Sequence, residues 1–379
     1  MSNDLRDLFM IDPDVVFLNH GSYGACPRVV FEEYQRWQVE LERQPVEFLG
    51  RRAENLLDNA RGKLASYLNA EPTDIAFVVN ATSGLNVIAR SLPLERGDEI
   101  LTTDHEYGAL DMTWDWMCGK AGAQCIRHHI PLPVTSHADV VESFWSDVTP
   151  RTKVIFLSHI TSPTALIMPV KEICARARES GILTVIDGAH VPGQIPLDLA
   201  DLGADIYSGN CHKWLCAPKG AGFLHVRPEH QEWIESLTIS WGWKGESTFV
   251  SRNQWQGTRD IAAFLTVPAA IDFQQQHQWD RVRAQCHELA RETRRFVADL
   301  TGLEPISPDS PNWFAQMISC PIPIDDPIAV KANMYDEFKV EAPLVTWHDK
   351  HMTRVSYQGY NDHDDLERLM AALEGVIER

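Results

Sequence analysis

Lys213 lies between His212 and Trp214 in ADIYSGNCHKWLCAPKGAG, Ala204 to Gly222, where a short apolar strand gives way to a polar turn and a glycine-rich loop. A lysine flanked by apolar residues at a strand end is poorly placed to be a solvated cation. Partial burial disfavours its charged form and lowers its pKa, leaving an amine able to attack an aldehyde and form a Schiff base. Taken alone, the stretch is equally well explained by a loop lysine whose stem snorkels past a tryptophan. Three further segments bear on the choice. Asp187 ends the apolar run LTVID, Leu183 to Asp187, and a carboxylate there is costly unless something positive pairs with it. A pyridine nitrogen is such a partner, and an ionised carboxylate would keep it protonated and the ring an electron sink. His105, in the segment Asp104 to Tyr107 after the run EILTT, sets an imidazole over the same crevice, although a lone histidine is more often structural. Thr82 and Ser83, in NATSGL after IAFVV, stand at a helix start, where free N–H groups and the helix dipole attract an anion; a plain N-cap also accounts for them. Together these supply an imine lysine, a carboxylate for the ring nitrogen, a ring-stacking side chain and a phosphate cup, the four parts of a pyridoxal 5'-phosphate site. A metal site on Asp187 and His190 lacks a second pair at ligand spacing, so no metal is expected. No GxxxxGKS/T or GxGxxG motif occurs, so nucleotide sites lack their signature.

These residues need a scaffold that brings strand ends together. Apolar runs at Ile75–Val79, Glu99–Thr103, Lys153–Ser158 and Leu183–Asp187 alternate with amphipathic segments. Pro169 opens and Gly181 closes one such segment. Near-continuous apolar strands separated by helices predict a parallel sheet covered on both faces, with ligands beyond the strands' carboxyl ends. Ahead of them, helical periodicity runs from Pro27 through Val30, Tyr34, Trp37 and Leu41, and again over Ala53–Leu68. From about Ile261 the pattern becomes two long helices, the segment Trp313–Cys320 ending in an apolar strand, a helix around Ala329–Phe338, a strand His351–Tyr357 and a closing helix from Asp362. This reads as a smaller α+β domain.

The 379 residues, 44% hydrophobic, can bury a large core. No apolar run approaches membrane-spanning length, and the N-terminal MSNDLRDLF lacks signal-peptide features, so a soluble, cytoplasmic protein is expected. Eight scattered cysteines without a CxxC pair fit free thiols in a reducing compartment. A net charge of -19 argues against a nucleic-acid partner.

The order NATSGLN, TDHEYGA, SHITSPTALIMP, DGAH, SGNCHKW, GTRD and TRVSYQGYN resembles the class V aminotransferase family of fold type I pyridoxal phosphate enzymes. NHGSYG near the start, with TDHEYGA and NCHKW, is similar to the isopenicillin N epimerase branch. The resemblance covers nearly the whole chain. It implies an α/β fold with a mostly parallel seven-stranded sheet in a large cofactor-binding domain, residues 19–259. A smaller C-terminal domain, 260–379, would carry the N-terminal segment 1–18 packed on it. By the same resemblance Lys213 forms the imine and shuttles the Cα proton, Asp187 pairs with the pyridine nitrogen, and His105 stacks on the ring. His190 and Ser162 lie near the phenolic oxygen. Thr82, Ser83 and His212 bind the phosphate; Asn210 is a cofactor-binding position that departs from the serine relatives often carry there, which puts one phosphate hydrogen bond in question. Thr258 reaches the phosphate of a neighbouring subunit, which implies a homodimer with shared sites. Arg354 grips the substrate carboxylate, with Asn19 and His20 on the substrate side. No cysteine occurs from Pro321 to Thr353, where persulfide-forming desulfurases of the family carry their nucleophile. The expected activity is epimerisation or racemisation at the Cα of an amino acid or aminoacyl side chain. C–S lysis and transamination are the alternatives within the family, and a non-catalytic binding or regulatory protein is the alternative outside it. Epimerisation would want a second acid such as His20 or Tyr107.

Overall fold

The computed structural model describes residues 5–377; the outermost parts of the expected N- and C-terminal segments, residues 1–4 and 378–379, lie outside them. Twelve strands occur among these residues. They are β1 (Val16–Phe17), β2 (Ile75–Val78), β3 (Glu99–Thr103), β4 (Gln124–His128), β5 (Thr152–Ser158), β6 (Leu183–Gly188), β7 (Ile206–Asn210), β8 (Gly222–Val226), β9 (Met317–Pro321), β10 (Val340–Glu341), β11 (Leu344–Trp347) and β12 (Lys350–Ser356). Seven of them form one sheet in the order β2-β8-β7-β6-β5-β3-β4.

Alternation along single strands explains why the runs are apolar throughout. On β5, Ile155 and Leu157 enter one core with Tyr207, Phe223 and the helix Ala53–Leu68, while Val154 and Phe156 enter a second core with Leu85, Ile88 and Trp114. Successive side chains point to opposite faces, so a strand covered on both sides is apolar through its middle, as Val154–Leu157 are, with polar residues such as Thr152 and Ser158 toward its ends. The sheet is parallel except for β8, which runs antiparallel to both β2 and β7. Here the sequence reading falls short, since it takes the residues around Gly222 as loop. Phe223, Leu224 and Val226 are fully buried, and their burial outweighs the turn propensity of the glycines before them.

The smaller sheet, β11-β12-β9, is antiparallel. Its strand β9 begins at Met317, because Trp313 belongs to a turn whose carbonyl accepts from Ile167 N at 2.8 Å. The first of the two long helices expected after Ile261 is split into Ala262–Leu265 and Val267–Gln276, with Pro268 in the first turn of the second piece; proline has no N–H to continue a helix through that point. β1 pairs in parallel with β10, Val16 opposite Val340, and Ser356 N donates to Leu18 O at 2.9 Å. These bonds carry the chain from the N-terminus directly to the end of β12, and so bring the segment Asn19–Gly24 beside Arg354. No helix among the described residues is long and apolar enough to cross a membrane.

Candidate active site

Adjacent parallel strands present their carboxyl ends side by side, and register sets which residues meet. Asp187 lies between Ser158 of β5 and Ser208 of β7. It is 4% exposed, one oxygen accepts from Ala189 N at 2.8 Å, and the other has no protein donor. Burial pushes its carboxyl up to about 6, against the pull of the Ala189 N–H and Lys213. Lys213 follows β7 by three residues. Burial draws its amine down to about 8; Asp187 opposes this and Arg354 adds to it. The Lys213 Nζ lies 3.3 Å from His190 Nε2, and Trp214 Nε1 donates to His190 Nδ1 at 3.3 Å. The indole leaves Nδ1 as acceptor, so neutral His190 carries its proton on Nε2 and donates to the lysine. Both contacts hold together only once Lys213 has lost its proton, which agrees in direction with the lowered pKa.

The turn after β2 is more occupied than its sequence suggests. The helix runs over Ala81–Ser91 with Asn80 as N-cap, accepting from Ser83 N at 2.8 Å. Asn210 reaches from β7 to accept from Ala81 N at 2.8 Å, tying the lysine strand to this turn. Thr82 and Ser83 are partly exposed at the helix mouth. His212 donates from Nδ1 to Ala221 O at 2.9 Å, leaving an Nε2 lone pair on a half-buried ring; burial, first, and the nearby lysines hold this imidazole down to about 4.

His105 is fully buried. Its Nε2 donates to Ile130 O at 2.8 Å and its Nδ1 meets Thr164 Oγ1 at 2.9 Å. One face stacks on Trp347 of β11 at 4.5 Å between centroids. Trp347 is a site residue that the sequence reading missed, since its run on β11 carries no motif.

Arg354 projects from β12 and is 6% exposed. Its Nη1 donates to Ser162 O at 2.7 Å and to Ser162 Oγ at 3.2 Å, and its Nη2 to Ser22 Oγ at 3.0 Å. Its Nε is buried without a partner, and none of its hydrogen-bond acceptors is a carboxylate. Burial lowers the guanidinium to about 10, with Tyr107 opposing. A buried guanidinium with serine partners, an unpartnered Nε–H and a further N–H to spare on Nη2 is suited to receive an anion. Ser22 was legible in principle, since it lies in NHGSYG beside the residues singled out there.

Those two residues face elsewhere. His20 is fully buried, with Nδ1 accepting from Tyr360 OH at 3.0 Å and Nε2 donating to Lys213 O at 3.0 Å. It thereby holds the backbone of the lysine turn, and both its nitrogens are engaged. Asn19 donates to Glu341 at 3.1 Å, and its buried Oδ1 has no partner. Gly24 explains the glycine of the motif: it sits at φ 72, ψ 165, a region essentially closed to side chains, and a Cβ there would lie 2.1 Å from His212 O. Gly24→Ala is expected to cost about 2 kcal/mol or more and to shift the lysine turn, seen as a lower thermal midpoint together with faster loss of bound cofactor. Thr258 lies on an exposed bend, and its side chain makes no hydrogen bond among the described residues; the structure does not join it to the residues around Lys213.

A mostly parallel seven-stranded sheet, with a lysine and a carboxylate at its strand ends and an arginine contributed by a small antiparallel sheet, defines an α/β enzyme of the cysteine desulfurase-like fold. The apo cysteine desulfurase from Thermococcus onnurineus NA1 superimposes with a TM-score of 0.86 over 100% of this chain and 98% of its own, at 20% identity. Residues 26–369 match the family described as aminotransferase class-V, and the chain belongs to that family of pyridoxal-phosphate-dependent enzymes. An isopenicillin N epimerase of Amycolatopsis lactamdurans is 36% identical over 386 residues, covering 97% of each chain. An L-cysteine desulfhydrase of Arabidopsis thaliana is 25% identical over 401 residues, covering 96% of this chain and 88% of its own.

Proposed function

We propose that the chain binds pyridoxal 5'-phosphate and acts at the Cα of an amino acid or aminoacyl side chain, as an isopenicillin N epimerase-like enzyme. The observation that carries the reading is Arg354, buried without an acidic partner and within electrostatic reach of Lys213. The donor set fits the cofactor. Asp187 has a free oxygen for the ring nitrogen, Lys213 an amine for the aldehyde, and Thr82, Ser83, His212 and the turn braced by Asn210 would hold the phosphate. His105 would cover a ring face, and His190 and Ser162 would serve the phenolic oxygen. When bound, the cofactor supplies an electron sink that acidifies the Cα hydrogen.

The residues of the chain do the rest. Arg354 takes the substrate carboxylate with its two unpaired N–H groups, on Nε and Nη2, and fixes the Cα relative to Lys213. An amine with a pKa of about 8 is matched to accepting and returning a proton near neutral pH. Tyr107 is the better candidate for the opposite-face acid, being 46% exposed and interacting electrostatically with Arg354, whereas both nitrogens of His20 are committed. The second reading is C–S lysis, favoured by the likeness to a desulfhydrase. Persulfide formation is disfavoured: Cys320 is buried, and burial pushes its thiol up to about 12, which leaves no thiolate for attack.

We also place Thr258 against the partner's phosphate in a homodimer. Leu237, Ile239 and Trp241, in the segment leading to Thr258, are 45%, 79% and 72% exposed in the single chain, an apolar stretch suited to a partner surface. Eight unpaired cysteines accord with a cytoplasmic enzyme. The test incubates the enzyme with L-amino acids, aminoacyl peptides and S-substituted cysteines in heavy water. Deuterium at Cα with loss of optical purity is the expected result. Pyruvate and ammonia would establish lysis instead, and exchange confined to keto-acid-dependent turnover would establish transamination.

A further inference from the structure

Outside the residues given roles above, Asp104, His129 and His348 converge from three distant segments. The His129 Nδ1 lies 2.6 Å and the His348 Nε2 2.8 Å from the same Asp104 Oδ2, and one ligand atom from each residue lies within 4.8 Å of the other two. Asp104 is held from behind: its Oδ1 accepts from Ile130 N at 3.2 Å and its carbonyl from Trp347 Nε1 at 2.9 Å. The His129 ring lies parallel to Trp347, 5.9 Å away and tilted 11°. His348 opens the two-residue turn between Trp347 and Lys350 at φ 52, a left-handed conformation that side chains other than those of Asn, Asp and His seldom adopt. Both imidazoles are exposed on their outer sides.

We infer that Asp104, His129 and His348 form a site for one divalent transition-metal ion of the zinc type, clamping the β11–β12 hairpin to the ends of β3 and β4. Two imidazoles and one carboxylate on one face, with the opposite side open to water, are the donor set such ions select. Metal–ligand distances of roughly 2.0–2.2 Å require donor atoms farther apart than the hydrogen bonds now joining them. Two exposed rings can open by that amount while Asp104 stays fixed. Each ring would ligate the ion through the nitrogen that now faces Asp104 and carry its proton on the outward one. The clamp bears on the catalytic side of the molecule, because Asp104 precedes His105, Trp347 stacks on His105, and β12 carries Arg354.

The test titrates zinc into the chelator-treated, cofactor-loaded full chain against a chromogenic chelator, with cobalt(II) absorption reporting the coordination geometry. One ion per chain is expected. Affinity should fall at least about tenfold in His129→Ala and in His348→Asn, the latter keeping a residue that tolerates the left-handed turn. It should be unchanged in His351→Ala, whose side chain pairs with Thr346 outside the cluster. Zinc should also slow amide exchange over residues 344–349 in the wild type and not in His348→Asn. Absence of stoichiometric binding, or equal binding by His348→Asn and wild type, overturns the assignment.

Discussion

Lys213→Ala is expected to lower turnover by at least about 10⁴-fold, because in the proposed reaction one amine would both tether the cofactor and carry the Cα proton, and general base catalysis alone is worth about 10²–10⁴. The fold should survive, since among the described residues the only side-chain hydrogen bond lost is the 3.3 Å contact to His190. The same amine makes a prediction that needs neither cofactor nor substrate. Acylation of Lys213 in the cofactor-free protein, followed by peptide mass spectrometry, should rise with pH to a midpoint of about 8, whereas solvated lysines titrate near 10.4. Desolvation favours the neutral amine and Asp187 favours the charged one, so Asp187→Asn should move the midpoint lower still. A Lys213 that titrates with the surface lysines would show that it is not buried as described, and the proposed chemistry would fail with it.

Arg354→Met separates function from stability. Lowering the guanidinium from 12.5 to about 10 corresponds to about 3 kcal/mol against the charged form. Because the folded value lies below the unfolded one, this cost is present in full below about pH 10, shrinks as pH rises from there toward the unfolded value, and is gone above it. Hydrogen bonds to Ser162 and Ser22, each worth about 1 kcal/mol, offset much of it. At neutral pH the substitution should therefore leave the stability of the ligand-free chain within about 1 kcal/mol of wild type, while KM for a carboxylate substrate rises about 100-fold, the loss of about 3 kcal/mol of charge-assisted binding. Destabilisation by more than about 3 kcal/mol, typical of a buried ion pair broken on one side, would mark Arg354 as a structural residue and remove the anion receptor from the proposed site.

Local pattern carried the reading a long way. The apolar runs that became β3, β5 and β6 were legible because strands buried on both faces leave few polar positions, and Asp187 stood out because it interrupts such a run. β8 was not legible, because its five residues follow a glycine loop and owe their strand to neighbours on both sides. Asn210 lies three residues before the lysine and is visible as a polar strand end, but nothing local shows that its side chain holds Ala81 N. His20 reads as a substrate-side histidine in NHGSYG, and packing turned it inward to hold Lys213 O.

By itself the amino-acid order determined the kinds of groups that stand at the strand ends, an amine, a carboxylate, hydroxyls and an imidazole, because strand periodicity and turn chemistry act over a few residues and survive translation into structure. Tertiary packing alone decided which distant groups meet. Arg354 with Ser22 and Ser162, Trp347 with His105, and His348 with Asp104 and His129 are joined across long stretches of chain, and such encounters depend on how the small sheet seats against the large one, which no local spacing encodes.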